Sequence, residues 1–196
     1  MSEARHSQIA TSLADVRSRI PNLVTLIVVT KTFPVSDIEI LYQLGERNFG
    51  ENRDSEGSEK SLQLPHDSIW HFQGAIQSNK LRSIVQWSDY IHSLDDISHA
   101  TKISSLASEA SKKQNCFIQI NLDPEKSEKS QRSGISIHEL SGFAEAASAM
   151  SGITIVGVMG VRPLDSDPRP GFAQLEKASH LLQKTIPAAT YISGGM

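Results

Sequence analysis

Hydrophobic positions along the chain recur first at helical spacing and then in short unbroken runs. Ile9, Leu13, Val16 and Ile20 follow one another at four, three and four residues, and Pro21 stops the series; this predicts an amphipathic leading helix. The run LVTLIVV at 23–29 is β-branched and nearly all apolar. A strand that does not alternate is buried on both faces, the mark of a parallel sheet. From there one unit repeats, a short apolar strand followed by a helix. Ser36 or Asp37 offers a cap for a helix with Ile38, Leu41 and Leu44 inward and Gly45 at its end. A brief strand at 48–50 leads into the polar stretch 51–64, where Gly57 weakens a helical reading. The strand 69–73 precedes a helix capped by Ser78, with Leu81, Ile84 and Val85 inward. The strand 90–93 precedes a helix using Ile97, Ala100, Ile103 and Ala107. Next come a strand at 116–121, a charged loop at 123–134 and a helix through Leu140, Ala144 and Ala147. A strand at 153–159, a helix carrying Phe172, Leu175, Ala178 and Leu182, and a strand at 190–193 complete the series.

Seven strands alternating with helices mean crossover connections and a parallel sheet. An open doubly wound sheet accepts seven strands; a (β/α) barrel takes eight and typically about 250 residues. The strand ends favour the barrel. Lys31, Glu51 with Asn52, His71 with Gly74, His92 with Ser93, Asn121, Met159 with Gly160, and Ser193 with Gly194 all stand at or just past carboxyl ends. A ring of such groups marks one barrel face, whereas an open sheet gathers them at a single switch point.

Composition narrows the function classes. With 196 residues and 38% hydrophobic content the chain is long enough and apolar enough for one domain, 1–196, with a real core. Lys and Arg number 19 against 22 Asp and Glu, and a net charge of -3 argues against a partner such as nucleic acid, whose binding rests on neutralised phosphates. No apolar run approaches the roughly 18 residues that a bilayer requires, and the polar start lacks a signal core, so a cytoplasmic location without membrane contact is expected. Cys116 is the single cysteine, which excludes a disulfide framework and any Cys-rich zinc site.

Lys31 is the sharpest chemical feature. Delivered to the top of a buried strand, a lysine is desolvated, its neutral form is favoured, and a neutral amine forms a Schiff base with an aldehyde. The same position also suits a lysine that simply reaches for solvent. Lys126, Lys129 and Arg132 suit an anion-binding lid, but Glu125 and Glu128 interleave with them as in a solvated loop. His71 and His92 lie at neighbouring strand ends; without His-x-His or His-Glu-x-x-His spacing they read better as satisfied polar residues at the barrel mouth than as metal ligands. Gly194 and Gly195 after a strand suit close backbone approach to a phosphate, and equally a simple turn. No P-loop, GxGxxG or nucleophile-elbow pattern is present.

Seven motifs in order carry a resemblance: VTKTFP at 29–34, FGEN at 49–52, WHFQG at 70–74, QSNK at 77–80, SGI at 133–135, GVMG at 157–160 and SGGM at 193–196. Over about 13–196 the chain resembles the pyridoxal phosphate homeostasis protein family, single-domain barrels similar to the N-terminal domain of alanine racemase. The resemblance implies that the protein binds pyridoxal 5′-phosphate as a Schiff base on Lys31. It implies no established catalytic turnover. The role implied is that of an intracellular carrier or regulator in vitamin B6 and amino-acid homeostasis, which buffers the cofactor or hands it to apo-enzymes. By the same matching, Asn52 lies near the pyridine ring and Met196 falls beside the family's phosphate-binding serine. His71, Met159 and Ser193 complete the expected cofactor set, with Ser78, Asn79 and Lys80 also at the mouth.

The family pattern continues past this methionine with a serine, a further helix and an eighth strand, which 1–196 lacks, and SGGM keeps its motif loosely. The expected fold is therefore a parallel (β/α)8-type TIM barrel of the alanine racemase N-terminal type without its eighth strand and last helix. Edges left open at the first and seventh strands and a weakened phosphate anchor follow from that expectation. The full family fold implies a monomer. Two rivals stand beside this reading: a racemase-type enzyme using the cofactor's ring as an electron sink, and a cofactor-free barrel enzyme acting on a phosphate substrate. A racemase needs a second acid/base on the opposite ring face, and Tyr42, Tyr90 and Tyr191 fall in a helix or in strands.

Overall fold

The computed structural model of the chain describes residues 3–123, 133–162 and 167–195. Seven strands lie in one sheet in sequential order, and every neighbouring pair is parallel. They are β1 (Val28–Val29), β2 (Asn48–Glu51), β3 (Ile69–Phe72), β4 (Tyr90–Leu94), β5 (Gln114–Gln119), β6 (Ile153–Val161) and β7 (Tyr191–Gly195). The helices are α1 (Glu3–Arg19), α2 (Val35–Gln43), α3 (Asp54–Ser61), α4 (Leu81–Trp87), α5 (Ile97–Glu109), α6 (Leu140–Ser148) and α7 (Pro168–Thr185). Strand followed by helix throughout, as the periodicity predicts, builds the barrel-type layering of a sheet wrapped by helices. None of the described helices is long and apolar enough to cross a membrane.

Alternation along each strand divides the side chains between two layers. Phe72, Ile91, Cys116, Ile118, Ile155 and Val158 point outward and pack with Leu81, Ile84, Ile103, Leu140, Ala144 and Leu175 of the helices. Phe49 and Trp70 do the same against Ile38 and Leu64. The opposite residues, His71, Tyr90, His92, Phe117, Tyr191 and Ser193, meet one another on the concave face. Burial of the outer layer is the main driving force for the fold, at roughly 25 cal/mol per Å² of apolar surface.

Three expectations about elements are corrected. The first strand covers Val28–Val29 rather than 23–29, Leu23 is 99% exposed and Val29 45% exposed. Within the described sheet β1 has one neighbour, β2, so the apolar run has no second flank to bury it. The cap of α2 is Pro34, not Ser36 or Asp37; Asp37 pairs instead with Arg5 of α1. Ser78 does not cap α4, which begins after Lys80 without a side-chain cap; its hydroxyl lies 3.0 Å from His99 Nε2.

The polar stretch 51–64 does contain a helix, α3. A Cβ at Gly57 would come within 2.4 Å of the Trp87 ring, so glycine is there to let the indole lie against the helix. The Trp87 N–H donates to Asp54 Oδ1 at 3.1 Å and locks that contact.

Candidate functional site

The carboxyl rim of β1 is a turn, not a simple strand end. The Phe33 N–H donates to the Thr30 carbonyl at 3.1 Å, which places Lys31 and Thr32 at the two central positions. Thr32 has φ +67, a left-handed conformation that costs a β-branched residue on the order of 1–2 kcal/mol. Such strain persists only where the surroundings over-determine it, and here they do. The Thr32 N–H donates to Glu56 Oε2 at 2.7 Å. The Lys60 ammonium donates to the Thr30 carbonyl at 2.8 Å, to Glu51 Oε1 at 2.7 Å and to Glu56 Oε2 at 3.3 Å. The Thr30 hydroxyl donates to Glu51 Oε1 at 2.6 Å. The Glu51 side chain is 0% exposed and that of Lys60 8% exposed, so the pair is dry. Glu56 is held below the usual carboxylate range, chiefly by the N–H of Thr32 and further by Lys60, against the opposing effect of burial.

Lys31 itself is exposed, and among the described residues its ammonium has no hydrogen-bond or ion-pair partner. The expected desolvation is therefore absent. Its cause was to be a strand buried on both faces, and β1 is half-exposed. The β1–β2 register ends at Val29↔Gly50, and Lys31 and Asn52 lie just past the carboxyl ends of these two neighbouring strands. Asn52 is also exposed. Its backbone is fixed by a close approach: a Cβ on Gly74 would sit 2.0 Å from the Asn52 carbonyl oxygen, and only glycine admits that contact.

Beneath the rim runs a polar chain through the concave face. His71 Nε2 lies 3.0 Å from Asn48 Oδ1, His71 Nδ1 lies 2.9 Å from His92 Nε2, and His92 Nδ1 lies 2.9 Å from Ser193 Oγ. Burial pushes His71 down to about 4. Burial, and then the neighbouring His71, push His92 down to about 3. Both rings are therefore neutral at pH 7, and each has one N–H and one acceptor nitrogen. With Asn48 presenting its oxygen, the chain runs one way: His71 donates to Asn48, His92 donates to His71, and the Ser193 hydroxyl donates to His92. The rings also stack, His71 on Tyr90 at 4.9 Å and His92 on Phe117 at 4.3 Å between centroids. His71 and His92 are thus satisfied by one another, and they lie inside the sheet rather than at its mouth, where the sequence reading put them.

Across the concave face Met159 pairs in register with Ser193 and is 5% exposed, on the side opposite the helix-facing Val158. Ser193 brings its hydroxyl to the same face through His92. Gly194 and Gly195 end β7, and the Arg162 N–H donates to the Gly195 carbonyl at 3.3 Å. A Cβ at Gly194 would meet Phe172 at 3.3 Å, so the backbone there is bare and closely backed. Met196, Lys126, Lys129 and Arg132 lie outside the described residues. Ser78, Asn79 and Lys80 are exposed before α4, where the Lys80 ammonium is 4.0 Å from Asp54.

The structure thus places Lys31 and Asn52 past the ends of β1 and β2, and Met159 and Ser193 in register on β6 and β7, with Ser193 joined to the buried histidines. A primary amine, an amide and bare glycine backbone at neighbouring strand ends suit a carbonyl compound bearing an anionic group. Nothing in the sequence pattern singles out Lys60, Glu56 or Asn48. Their roles come from partners 30, 24 and 23 residues away along the chain.

Comparison with known proteins gives a consistent answer. The family model for the alanine racemase N-terminal domain matches residues 5–195. A pyridoxal phosphate homeostasis protein from Synechocystis is 33% identical over 189 residues, covering 93% of this chain and 85% of that protein. PipY of Synechococcus elongatus, in a structure solved with PLP bound, superposes with a TM-score of 0.84 at 32% identity, covering 96% of this chain and 88% of that one. An alanine racemase from Clostridium difficile superposes with a TM-score of 0.78 over 95% of this chain and 50% of that chain, and at 11% identity it speaks for the fold alone.

Proposed function

The chain belongs to the pyridoxal phosphate homeostasis protein family, and from that premise we propose that it binds pyridoxal 5′-phosphate covalently through Lys31 and holds it without turning over a substrate. The observation that carries the proposal is the Lys31 amine, presented on a clamped turn past the end of β1 and without a hydrogen-bond or ion-pair partner among the described residues. When bound, the cofactor supplies an aldehyde carbon to which a deprotonated amine adds with loss of one water.

The donor set fits that group. Lys31 offers the nucleophilic nitrogen, and Asn52 offers an amide at the neighbouring strand end. The bare backbone of Gly194 and Gly195 offers close approach for an anion. His71 on Tyr90 and His92 on Phe117 form two stacked ring pairs on the concave face, tilted against each other.

Holding rather than turnover is supported by what most of the surrounding groups are already doing, the exposed Tyr191 of β7 being the exception. A racemase-type reaction needs a free acid/base on each face of the ring. Tyr42 gives its hydroxyl to Asp67 at 2.5 Å and its ring lies under Arg47. Tyr90 lies flat on His71, and both histidines are committed to each other, to Asn48 and to Ser193. A protein of this kind keeps a reactive aldehyde out of solution and releases it to apo-enzymes that need it, an intracellular role in vitamin B6 and amino-acid balance.

Incubation with pyridoxal 5′-phosphate, borohydride reduction and peptide mass spectrometry test this directly. The expected result is one pyridoxyl group on the peptide carrying Lys31, with loss of both label and visible absorbance in Lys31→Ala. No label, or label spread over surface lysines, would overturn the proposal and return the cofactor-free phosphate enzyme to the front.

A further inference from the structure

Lys60 has no place in the site as described, yet it is the most buried lysine among the described residues and makes three hydrogen bonds. All three lead to the turn that carries Lys31. One goes directly to the Thr30 carbonyl, the residue before Lys31. One goes to Glu51, which also takes the Thr30 hydroxyl. One goes to Glu56, which takes the N–H of Thr32, the residue after Lys31. The turn is therefore gripped on both sides of Lys31 and left free only at Lys31 itself. The second oxygen of Glu51 is buried without a hydrogen-bond partner, a cost that an apolar residue in its place would not carry. The unfavourable φ of Thr32 is held in place by the same network.

We propose that Lys60, with Glu51 and Glu56, is the positioning group that fixes where the Lys31 amine is presented. The mechanism is mechanical. Lys60 pairs with the carboxylates of Glu51 and Glu56, and those carboxylates and its own third bond pin Thr30 and Thr32. With its three protons engaged, Lys60 is unavailable as a nucleophile, so of two neighbouring amines only Lys31 meets an aldehyde. This deepens, and rests on, the assignment of Lys31 as the aldehyde acceptor; the clamp on the turn is an independent physical claim.

The test uses the whole chain in four forms: the parent, Glu56→Ala, Glu56→Gln and Lys60→Met. Glu56 is the informative position because its side chain is 22% exposed and its loss leaves the buried Lys60–Glu51 pair in place. Two quantities are read: amide hydrogen exchange at Thr32 and Phe33 in protein without ligand, and the rate of cyanoborohydride capture of pyridoxal 5′-phosphate at Lys31 from pH 6 to 10. In Glu56→Ala, exchange at Thr32 should quicken and the high-pH plateau of the capture rate should fall by roughly ten-fold. Glu56→Gln restores an oxygen acceptor without the charge and should recover most of both. Lys60→Met should show the larger loss if it folds, and in the parent no label should appear on Lys60.

Thr32 exchange in Glu56→Ala as slow as in the parent overturns the clamp, whether or not Lys31 labels. Faster exchange with an unchanged capture plateau overturns the positioning role. A parent that does not label at Lys31, with faster Thr32 exchange in the variant, leaves the clamp standing and overturns instead the function assigned to Lys31.

Discussion

Single atoms decide the rim. At Gly74 a Cβ would be 2.0 Å from the Asn52 carbonyl oxygen, whereas at Gly195 the nearest atom would be a Val161 methyl at 3.5 Å. Two alanine substitutions of identical size should therefore part company. Gly74→Ala must displace the backbone that carries Asn52 and should cost about 1–3 kcal/mol or more in urea denaturation, with weaker cofactor capture. Gly195→Ala should stay within about 0.5 kcal/mol; equal costs would mean that Gly74 does not hold the rim. Cys116 is a second clear case. Burial pushes its thiol up to about 12, and it sits in the helix-facing core. It should resist a thiol reagent in the native protein and react only on unfolding; rapid native labelling would contradict that packing. At this scale the sequence was informative about which residues matter and silent about their surroundings. Lys31, Asn52 and Ser193 could be named from strand ends, but the exposure of Lys31 depends on how much of 23–29 forms a strand.

Elements differ in how firmly they are attached. None of the residues of α1 is buried; Ile9, Leu13 and Val16 line a groove of about 480 Å³ shared with Val28, Phe33 and Leu41. Its ends are tied by Arg5 to Asp37 and by Arg17 to Glu46. Partly exposed ion pairs are screened by salt and individually weak. Amides of α1 should therefore exchange earlier than those of β5 and β6, and faster still at high ionic strength; protection matching that of the central strands would show the helix to be better anchored than its contacts suggest. The leading helix was readable from its period, because 3.6-residue spacing survives whether or not the face is covered. The extent of β1 was not, because an unbroken apolar run looks the same whether it has two neighbours or one. For α3 the glycine misled, since its purpose lies on α4, thirty residues away at Trp87.

Across the molecule, the chain Asn48–His71–His92–Ser193 ties β2, β3, β4 and β7 together from inside. Its two rings are neutral in the fold, while in the unfolded chain histidines take up protons near pH 6.5. Between those values the unfolded state binds more protons, so stability is whole above about pH 6.5 and declines as pH falls, until the folded rings protonate at about 4 and about 3. The loss from the pair is on the order of a few kcal/mol. Carboxylates held low, such as Asp37 and Glu56, act in a more acidic window, below about pH 4.5. Chemical denaturation between pH 7.5 and 5 isolates the histidines, and His92→Asn should flatten the dependence; a flat profile in the parent would mean that the rings are not held neutral. The alternation of strand and helix, the parallel sheet and the inward faces of the helices were set by the order of amino acids, because period and propensity act over a few neighbouring positions. What only the folded arrangement decided was who meets whom across long separations: Lys60 beneath Thr30, Glu56 on Thr32, Ser193 at the end of two histidines. Those contacts come from curvature and register of the whole sheet, which no local pattern encodes.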